Sequence, residues 1–214
     1  MKSINALFLL FFAFGAHTQD REIFFQYHTN VKAIDTSAEV RQAAMMANNG
    51  YMRMYFADSI MRIEQKMGQT GTAIMIFDER KNVALQLMDS PMGKLASIRQ
   101  GDEIVRTEVP VDTNAVVKEF NETKKILGYE CRKIMLRSNG EIVTYWITDE
   151  IDQSLVSKDM VDPNIPGFPM EFSKIQKGLE MTYKISNIQF EIKDKETLFS
   201  LTPPEGYMLM PTSR

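Results

Sequence analysis

Apolar and polar residues alternate with a period of two through most of this chain, and this pattern constrains the fold more than any other feature. The alternating segments come in pairs that are separated by short runs of turn-forming residues, as in antiparallel hairpins. The clearest pair is residues 129–136 and 141–148, joined by Ser138-Asn139-Gly140. Asn-Gly supplies the two positive φ angles that a tight primed turn requires. We therefore predict a hairpin here.

Other segments of the chain show the same alternation and the same turn chemistry between them. They are residues 51–56, 60–66, 72–77, 83–88, 94–98, 170–175, 179–185, 188–192 and 198–201. Together they predict about ten or eleven strands, more than one flat sheet holds without curling. The predicted fold class is mainly β (α+β), with a curled antiparallel sheet that forms an open half-barrel and one or two helices packed as a plug or lid.

Helical signals are few. Thr36 and Ser37 are suited to capping a helix over residues 38–47, which Asn48-Asn49-Gly50 would end. Residues 150–160 are predicted to form a short second helix before Asp162-Pro163.

The first 18 residues have the composition of a cleavable secretory signal. Lys2 precedes the apolar run of residues 6–14, which is too short to cross a hydrocarbon core of about 30 Å. Cleavage after Thr18 is favoured over cleavage after Gly15. The alternative is a buried N-terminal element. We expect an exported protein, periplasmic or extracellular, whose residues 19–214 form a single domain.

The charge balance argues against nucleic acid or an anionic membrane as a partner. The chain has 25 basic and 28 acidic residues, a net charge of −3. Loss of Lys2 with the signal leaves 24 against 28, a net charge of −4. Both excluded partners require a basic surface. No later stretch has the 18 or more apolar residues of a transmembrane helix, so a soluble domain is expected after cleavage.

Motifs for catalysis, metals and cofactors are not found in the sequence. The serine-hydrolase elbow, the dinucleotide and phosphate loops and the HExxH zinc motif have no match. His28 is expected to be a residue near a strand end. The adjacent carboxylates Asp149 and Glu150 are expected to be solvated rather than to face each other across a cleft. We expect no enzyme activity and no cofactor.

Cys131 is the only cysteine, so no internal disulfide can form. It lies in an alternating segment, where a thiol behaves as a small apolar side chain. A structural role is favoured, and a reactive or dimer-forming thiol is the alternative.

Methionine is unusually frequent, with 16 residues. Many are crowded into the first half of the chain, namely Met45, Met46, Met52, Met54, Met61, Met67, Met75, Met88 and Met92. Unbranched, polarizable side chains adapt to irregular apolar shapes. These residues could form ordinary core or line a surface for an apolar ligand. A metal site is the least favoured alternative, since His and Cys are scarce.

Two neighbouring segments carry a family resemblance. Residues 123–133 read TKKILGYECRK and residues 144–151 read TYWITDEI. They resemble a secreted bacterial family of unknown function with a T-K-x-I-x-G-Y-x-C-K-K strand followed by a W-x-T-x-E strand. Residues 164–171 and 202–207 are also similar to that group. The resemblance implies a fold like the lipoprotein carriers LolA and LolB, a half-barrel with an apolar concave face. It implies no site residues.

We therefore expect a binding protein that holds a lipid, a lipoprotein acyl chain or another hydrophobic ligand on an apolar concave face. The alternative is an envelope protein-interaction or assembly module without a small-molecule ligand. Aromatic character and motif position select candidate residues for the apolar surface, namely Met52, Met54, Phe56, Tyr129, Trp146, Phe168 and Met170.

Overall fold

The computed structural model describes residues 22–66, 68–104, 112–138, 140–156 and 162–210. The predicted signal, residues 1–18, lies outside these ranges. So do Met67, Asn139 of the predicted Asn-Gly turn and the last residues of the predicted helix 150–160.

The described residues form one sheet of 12 strands. In chain order the strands are β1 (Glu22–Ala33), β2 (Gly50–Ala57), β3 (Ile60–Lys66), β4 (Thr72–Asp78), β5 (Val83–Ser90), β6 (Gly93–Gln100), β7 (Val116–Ile126), β8 (Tyr129–Ser138), β9 (Glu141–Thr148), β10 (Phe168–Gln176), β11 (Leu179–Gln189) and β12 (Met208–Leu209).

The sheet is curled and does not close on itself. Its strand order is β12-β6-β5-β4-β3-β2-β1-β11-β10-β9-β8-β7. Strand β1 lies in the middle and pairs with β2 and β11, and all neighbours are antiparallel except β12 and β6. The chain therefore builds two meanders that β1 joins. The predicted curled antiparallel sheet and open half-barrel are confirmed.

Strands β1 and β7, and the two-residue strand β12, were not predicted from the alternation. The central strand β1 buries three successive residues, Ile23, Phe24 and Phe25, because both faces of the sheet are covered there. Such a strand reads as a continuous apolar run. The edge strand β7 lacks the alternation for a different reason: most of its residues are exposed and polar.

The C-terminal strands also differ from the prediction. Residues 179–185 and 188–192 were predicted as separate strands, but β11 runs continuously to Gln189. Opposite Gln26 and Tyr27 the register shifts by one residue, so the predicted turn at Ser186-Asn187 is instead a β-bulge within β11. Residues 198–201 do not form a strand, because the short helix α2 (Lys195–Leu198) ends there.

The first helix, α1 (Ala38–Ala47), has the predicted bounds. The Ser37 hydroxyl accepts a hydrogen bond from the Val40 N–H at 3.4 Å, as an N-cap residue does. In place of the predicted second helix, the described part of residues 150–160 has only a short 3₁₀ turn, Gln153–Leu155. None of the helices in the described ranges is long and apolar enough to span a membrane.

The outer face of β1 to β6 is covered by the C-terminal segment, residues 190–207. Ile192 and Phe199 pack against Phe24, while Leu201 and Tyr207 pack against a cluster centred on Leu85. The side chains under this cover are almost fully buried, with exposures of 0 to 4% for Ile76, Leu85, Leu87 and Ala96.

The opposite face is the concave one. The Phe25 ring on β1 meets the Phe168 ring on β10 at a centroid distance of 5.4 Å, and Tyr27 meets Phe172 at 5.5 Å. Strand β11 lies between these two strands, and backbones two strands apart are separated by about 10 Å. The side chains therefore converge on this face.

Candidate functional site: an apolar concave face

Two adjoining cavities lie on the concave face. The first, here the inner groove, has a volume of about 380 Å³. The second, here the inner pocket, has a volume of about 210 Å³. Met54 of the pocket pairs directly with Ile63 of the groove across β2 and β3, so the cavities are neighbours. Binding sites for small molecules commonly have volumes of about 300–1,000 Å³.

The inner groove is built by the register of four successive strands. One row places Ile63, Met75, Gln86 and Ser97 side by side. The next row places Gln65, Ala73, Met88 and Leu95 side by side. Because side chains of a strand alternate between the faces, both rows lie on the concave face. Met210, which follows β12 at the sheet edge, completes the lining.

The groove side of strands β3 to β6 is open to solvent, whereas the outer face of the same strands is covered. Met88 is 51% exposed, and Met75 and Leu95 are only half-buried. On the outer face of β5, the strand that contains Met88, Leu85 and Leu87 are 0 and 4% exposed. The polar side chains of the lining, Gln65, Gln86 and Ser97, are uncharged. The groove is therefore an apolar surface in contact with water, with neutral hydrogen-bonding groups along it.

Aromatic residues of β1, β9 and β10 form much of the inner pocket wall. The buried Tyr27 hydroxyl donates a hydrogen bond to the carbonyl oxygen of Pro169. Burial raises the pKa of Tyr27, and the nearby Tyr145 phenol adds to the rise. Burial and then the Asp162 carboxylate likewise raise the pKa of Tyr145. Both phenols are thus neutral at physiological pH, and the pocket wall carries no phenolate.

The loop before β10 forms one wall of this pocket and is held by polar contacts. The Arg132 guanidinium donates to the Pro166 carbonyl at 2.6 Å and pairs with Asp149 at 3.1 Å. The Gln153 amide donates to the carbonyls of Ile165 and Gly167. These contacts fix Ile165 and Phe168 against the pocket.

Five of the predicted surface residues lie in the core around this pocket. Met52, Met54 and Phe168 line it. Phe56 and Met170 belong to the same hydrophobic cluster and are 6 and 0% exposed, so they lie behind the lining rather than in it.

The other two predicted residues pack against the same hydrophobic cluster. Tyr129 and Trp146 are partly buried against the large core cluster and line neither cavity. Trp146 follows Tyr145 in strand β9, so the two side chains point to opposite faces of that strand, and Trp146 packs against the cluster that contains Phe168 and Met170. There the Lys124 ammonium lies 4.1 Å from its ring centroid.

The residues of the inner groove were not selected from the sequence. Met75 and Met88 were noted as part of the methionine excess, whereas Gln86, Leu95 and Ser97 gave no signal by themselves. Their common face follows only from the pairing of β3 to β6. Alternation in each strand indicates two faces, and the sequence does not show which face the C-terminal segment covers.

A third and larger cavity, of about 640 Å³, lies between the turns after β2 and β4 and the helix α2. Several of its charged groups are paired, as Asp78 pairs with Lys81 at 3.0 Å and Glu22 pairs with Lys195. Burial alone would raise the pKa of Asp78, but hydrogen bonds from the Lys81 N–H and ammonium outweigh it and lower the pKa. These ion pairs connect surface segments of the chain, which is a structural role. We therefore place the candidate site in the two apolar cavities.

The groups considered for catalysis or metal binding have other partners or surroundings. Asp149 pairs with Arg132, and the Glu150 carboxylate accepts a hydrogen bond from the Glu130 N–H at 2.7 Å. His28 is an exposed residue in the middle of β1, so the prediction that it lies near a strand end is wrong. Within the described ranges, no group of three or more His, Cys, Asp or Glu side chains could hold a metal ion.

Sequence comparison identifies the family. A family model described as a domain of unknown function (DUF4412) matches residues 40–207. The chain belongs to the DUF4412 family. The DUF4412 match contains the motif of residues 123–133 and the groove strands β3 to β6, and it begins after β1. No curated protein matches the chain.

Solved structures similar to this DUF4412 protein have low sequence identity to it. PNGF-II matches with a TM-score of 0.39 and 12% identity over 87% of this chain and 30% of its own, so the chain spans about a third of its length. A LolA superfamily protein from Nitrosomonas europaea matches with a TM-score of 0.31 and 9% identity, covering 85% and 90% of the two chains. A DUF1329 family protein from Desulfovibrio piger matches with a TM-score of 0.25 and 7% identity, covering 86% and 91%.

Proposed function

We propose that this protein binds a hydrophobic ligand, such as a lipid or a lipoprotein acyl chain, on its concave face. The observation that supports this most directly is the contrast between the faces of strands β3 to β6. Their outer face is sealed by the chain's own C-terminal segment, and their concave face presents Met75, Met88 and Leu95 around an open, uncharged groove. A ligand chain that covers these side chains removes apolar surface from water, which is favourable.

The methionines suit a ligand of variable shape. Met side chains have three rotatable bonds and a polarizable sulfur, so they repack around different apolar surfaces. The neutral amides Gln65 and Gln86 can bond an ester or amide of the ligand without burying a charge. The proposed function is therefore binding or carriage, without a catalytic step and without a cofactor.

The proposal includes export. Residues 1–18 have the pattern of a secretory signal, and a carrier of apolar molecules suits a periplasmic or extracellular compartment. N-terminal sequencing of the protein recovered outside the cytoplasm tests this. We expect a mature chain that starts at Gln19. A chain that retains Met1 in the cytoplasm would contradict the export proposal.

Ligand binding can be tested with a fluorescent fatty-acid probe and a matched pair of variants. Met88→Glu places a charge in the groove and should weaken probe binding at least about tenfold, since the carboxylate loses hydration when the ligand covers it. Met92→Glu is the control, because Met92 is 97% exposed in the turn between β5 and β6 and lines neither cavity.

Native mass spectrometry of the detergent-free protein complements the titration, and co-purified lipid is the expected result. Absence of co-purified lipid, together with absence of probe binding to the unmodified protein, would refute the proposal. Equal loss of binding in both variants would place the probe outside the groove.

A second candidate is an envelope protein-interaction module. Strand β7 favours this candidate, because it is the last strand of the sheet and pairs on one side only. Its Val116 and Val117 side chains are 57 and 38% exposed. An open edge of this kind can pair with a strand of another protein.

The two candidates differ in what co-purifies with the protein. A partner that pairs with β7 should appear as a stoichiometric band in pull-downs from envelope extracts and should be lost in Val117→Pro, which disrupts pairing along this strand. The inner-groove variant Met88→Glu should leave that band unchanged. Loss of the band in Met88→Glu but not in Val117→Pro would argue against the second candidate.

A further inference from the structure

One basic residue stands out on the concave face of the first six strands. The concave-face positions of β1 to β6 alternate with the buried outer-face positions, and Arg99 of β6 is the only charged residue among them. It follows Ser97, which lines the inner groove, by two residues, or about 7 Å along the strand. Among the described residues of these strands, the groove therefore leads toward the positive charge of Arg99.

The neighbours of Arg99 across the sheet are uncharged. Its direct neighbours across the sheet are Ala84 and, one strand further, Phe77. Among the described residues, no carboxylate forms an ion pair with Arg99, although Asp102 and Glu103 follow it closely in the chain. The residue is only partly exposed, so an unpaired charge at this position loses some hydration without compensation.

We propose that the inner groove takes an anionic amphiphile, with its alkyl chain on Met75, Met88 and Leu95 and its carboxylate or phosphate on Arg99. A guanidinium binds either group through two parallel N–H···O hydrogen bonds. The apolar lining and the charge then act on the two ends of one molecule. This inference rests on the proposed function and specifies the chemical class of the ligand.

The test compares two ligands of equal chain length, myristate and myristyl alcohol, by isothermal titration at pH 8. The unmodified protein should bind myristate about tenfold or more tightly than the alcohol. Arg99→Gln should abolish this preference by weakening myristate binding while leaving alcohol binding unchanged. Arg99→Lys should retain part of the preference, since it keeps the charge, and it remains informative if the Gln variant folds poorly.

Arg41→Gln is the matched control, because Arg41 is exposed on α1 and lines neither cavity. It should leave both affinities unchanged. Myristyl phosphate should bind like myristate, with the same dependence on Arg99.

Equal binding of the acid and the alcohol, or a preference that survives Arg99→Gln, would overturn this inference and leave the proposed function intact. Failure of both ligands to bind would overturn the proposed function as well.

Discussion

Cys131 illustrates how a residue with reactive potential is made structural by its surroundings. It is 1% exposed and belongs to the largest hydrophobic cluster. Burial raises the pKa of its thiol, with partial compensation from a backbone hydrogen bond and from Lys124. Since the thiolate is the reactive form, the native thiol should be inert.

We predict that a disulfide reagent labels Cys131 slowly in the folded protein at pH 8 and completely once urea unfolds it. The rate should therefore follow the unfolding transition measured by circular dichroism. Complete labelling of the native protein within the mixing time would contradict the buried position.

Asp78 carries a pH-dependent part of the stability. Its carboxylate accepts hydrogen bonds from the Lys81 N–H and pairs with the Lys81 ammonium, both at 3.0 Å, and its pKa in the folded protein is lower than in the unfolded chain. A depressed carboxyl pKa stabilises the fold above the unfolded pKa of about 4, and this contribution is lost as the pH falls through the folded value.

Asp78→Asn should therefore lower the free energy of unfolding by about 1 kcal/mol at pH 7. The difference from the unmodified protein should shrink below about pH 4, as measured by urea denaturation over a pH series. Glu79→Gln, next to it in the exposed turn, should change stability little. A difference for Asp78→Asn that grows on acidification would contradict the assignment.

At the scale of elements, the hairpin between β7 and β8 contains a local conflict. Its two turn residues are Leu127 and Gly128, with φ angles of 52° and 93°. Positive φ suits Gly but costs about 1–2 kcal/mol for most L-residues, and Asn tolerates it better. Leu127 is also 50% exposed, so its side chain compensates only in part.

Replacing Leu127 with Asn should stabilise the protein by about 0.5–1 kcal/mol although it removes an apolar side chain. Leu127→Ala should not stabilise, because Ala shares the strain. Urea denaturation with an unchanged slope gives the comparison. A loss of stability in Leu127→Asn would show that the Leu127 side chain contributes more than the turn costs.

Elements with strong local signals were predicted well from sequence. The helix α1 has its predicted bounds because Ser37 and Asn48 cap its two ends. The turn Lys177-Gly178 was also predicted, and both residues have positive φ. Strand β1 was missed because its burial on both faces depends on β11 and on the C-terminal segment, which are distant in sequence.

The candidate site was less predictable than the fold, for the same reason. Met52, Met54 and Phe168 could be selected by residue type, but Trp146 could not be assigned to a face without the bulge in β10, where the register shifts between Pro169 and Glu171. The groove itself exists because the C-terminal segment covers one face of β3 to β6 and leaves the other open.

At the scale of the whole molecule, the C-terminal segment, residues 190–210, has two structural roles. The C-terminal segment seals the outer face of the first meander and then passes the edge of β6, where the Met210 N–H donates to the Ala96 carbonyl at 2.8 Å. Met210 thereby reaches the groove. One segment thus provides both the outer cover and part of the groove lining, and the concave face of β3 to β6 is the face that it leaves open.

The central claim, that a hydrophobic ligand occupies this concave face, can be tested by NMR of ¹³C-methyl-labelled methionines during titration with myristate. We predict saturable shifts for the groove residues Met75, Met88 and Met210. Met45 and Met92, which are 78 and 97% exposed outside both cavities, should not shift. Unchanged groove resonances at saturating ligand, or shifts confined to Met45 and Met92, would contradict it.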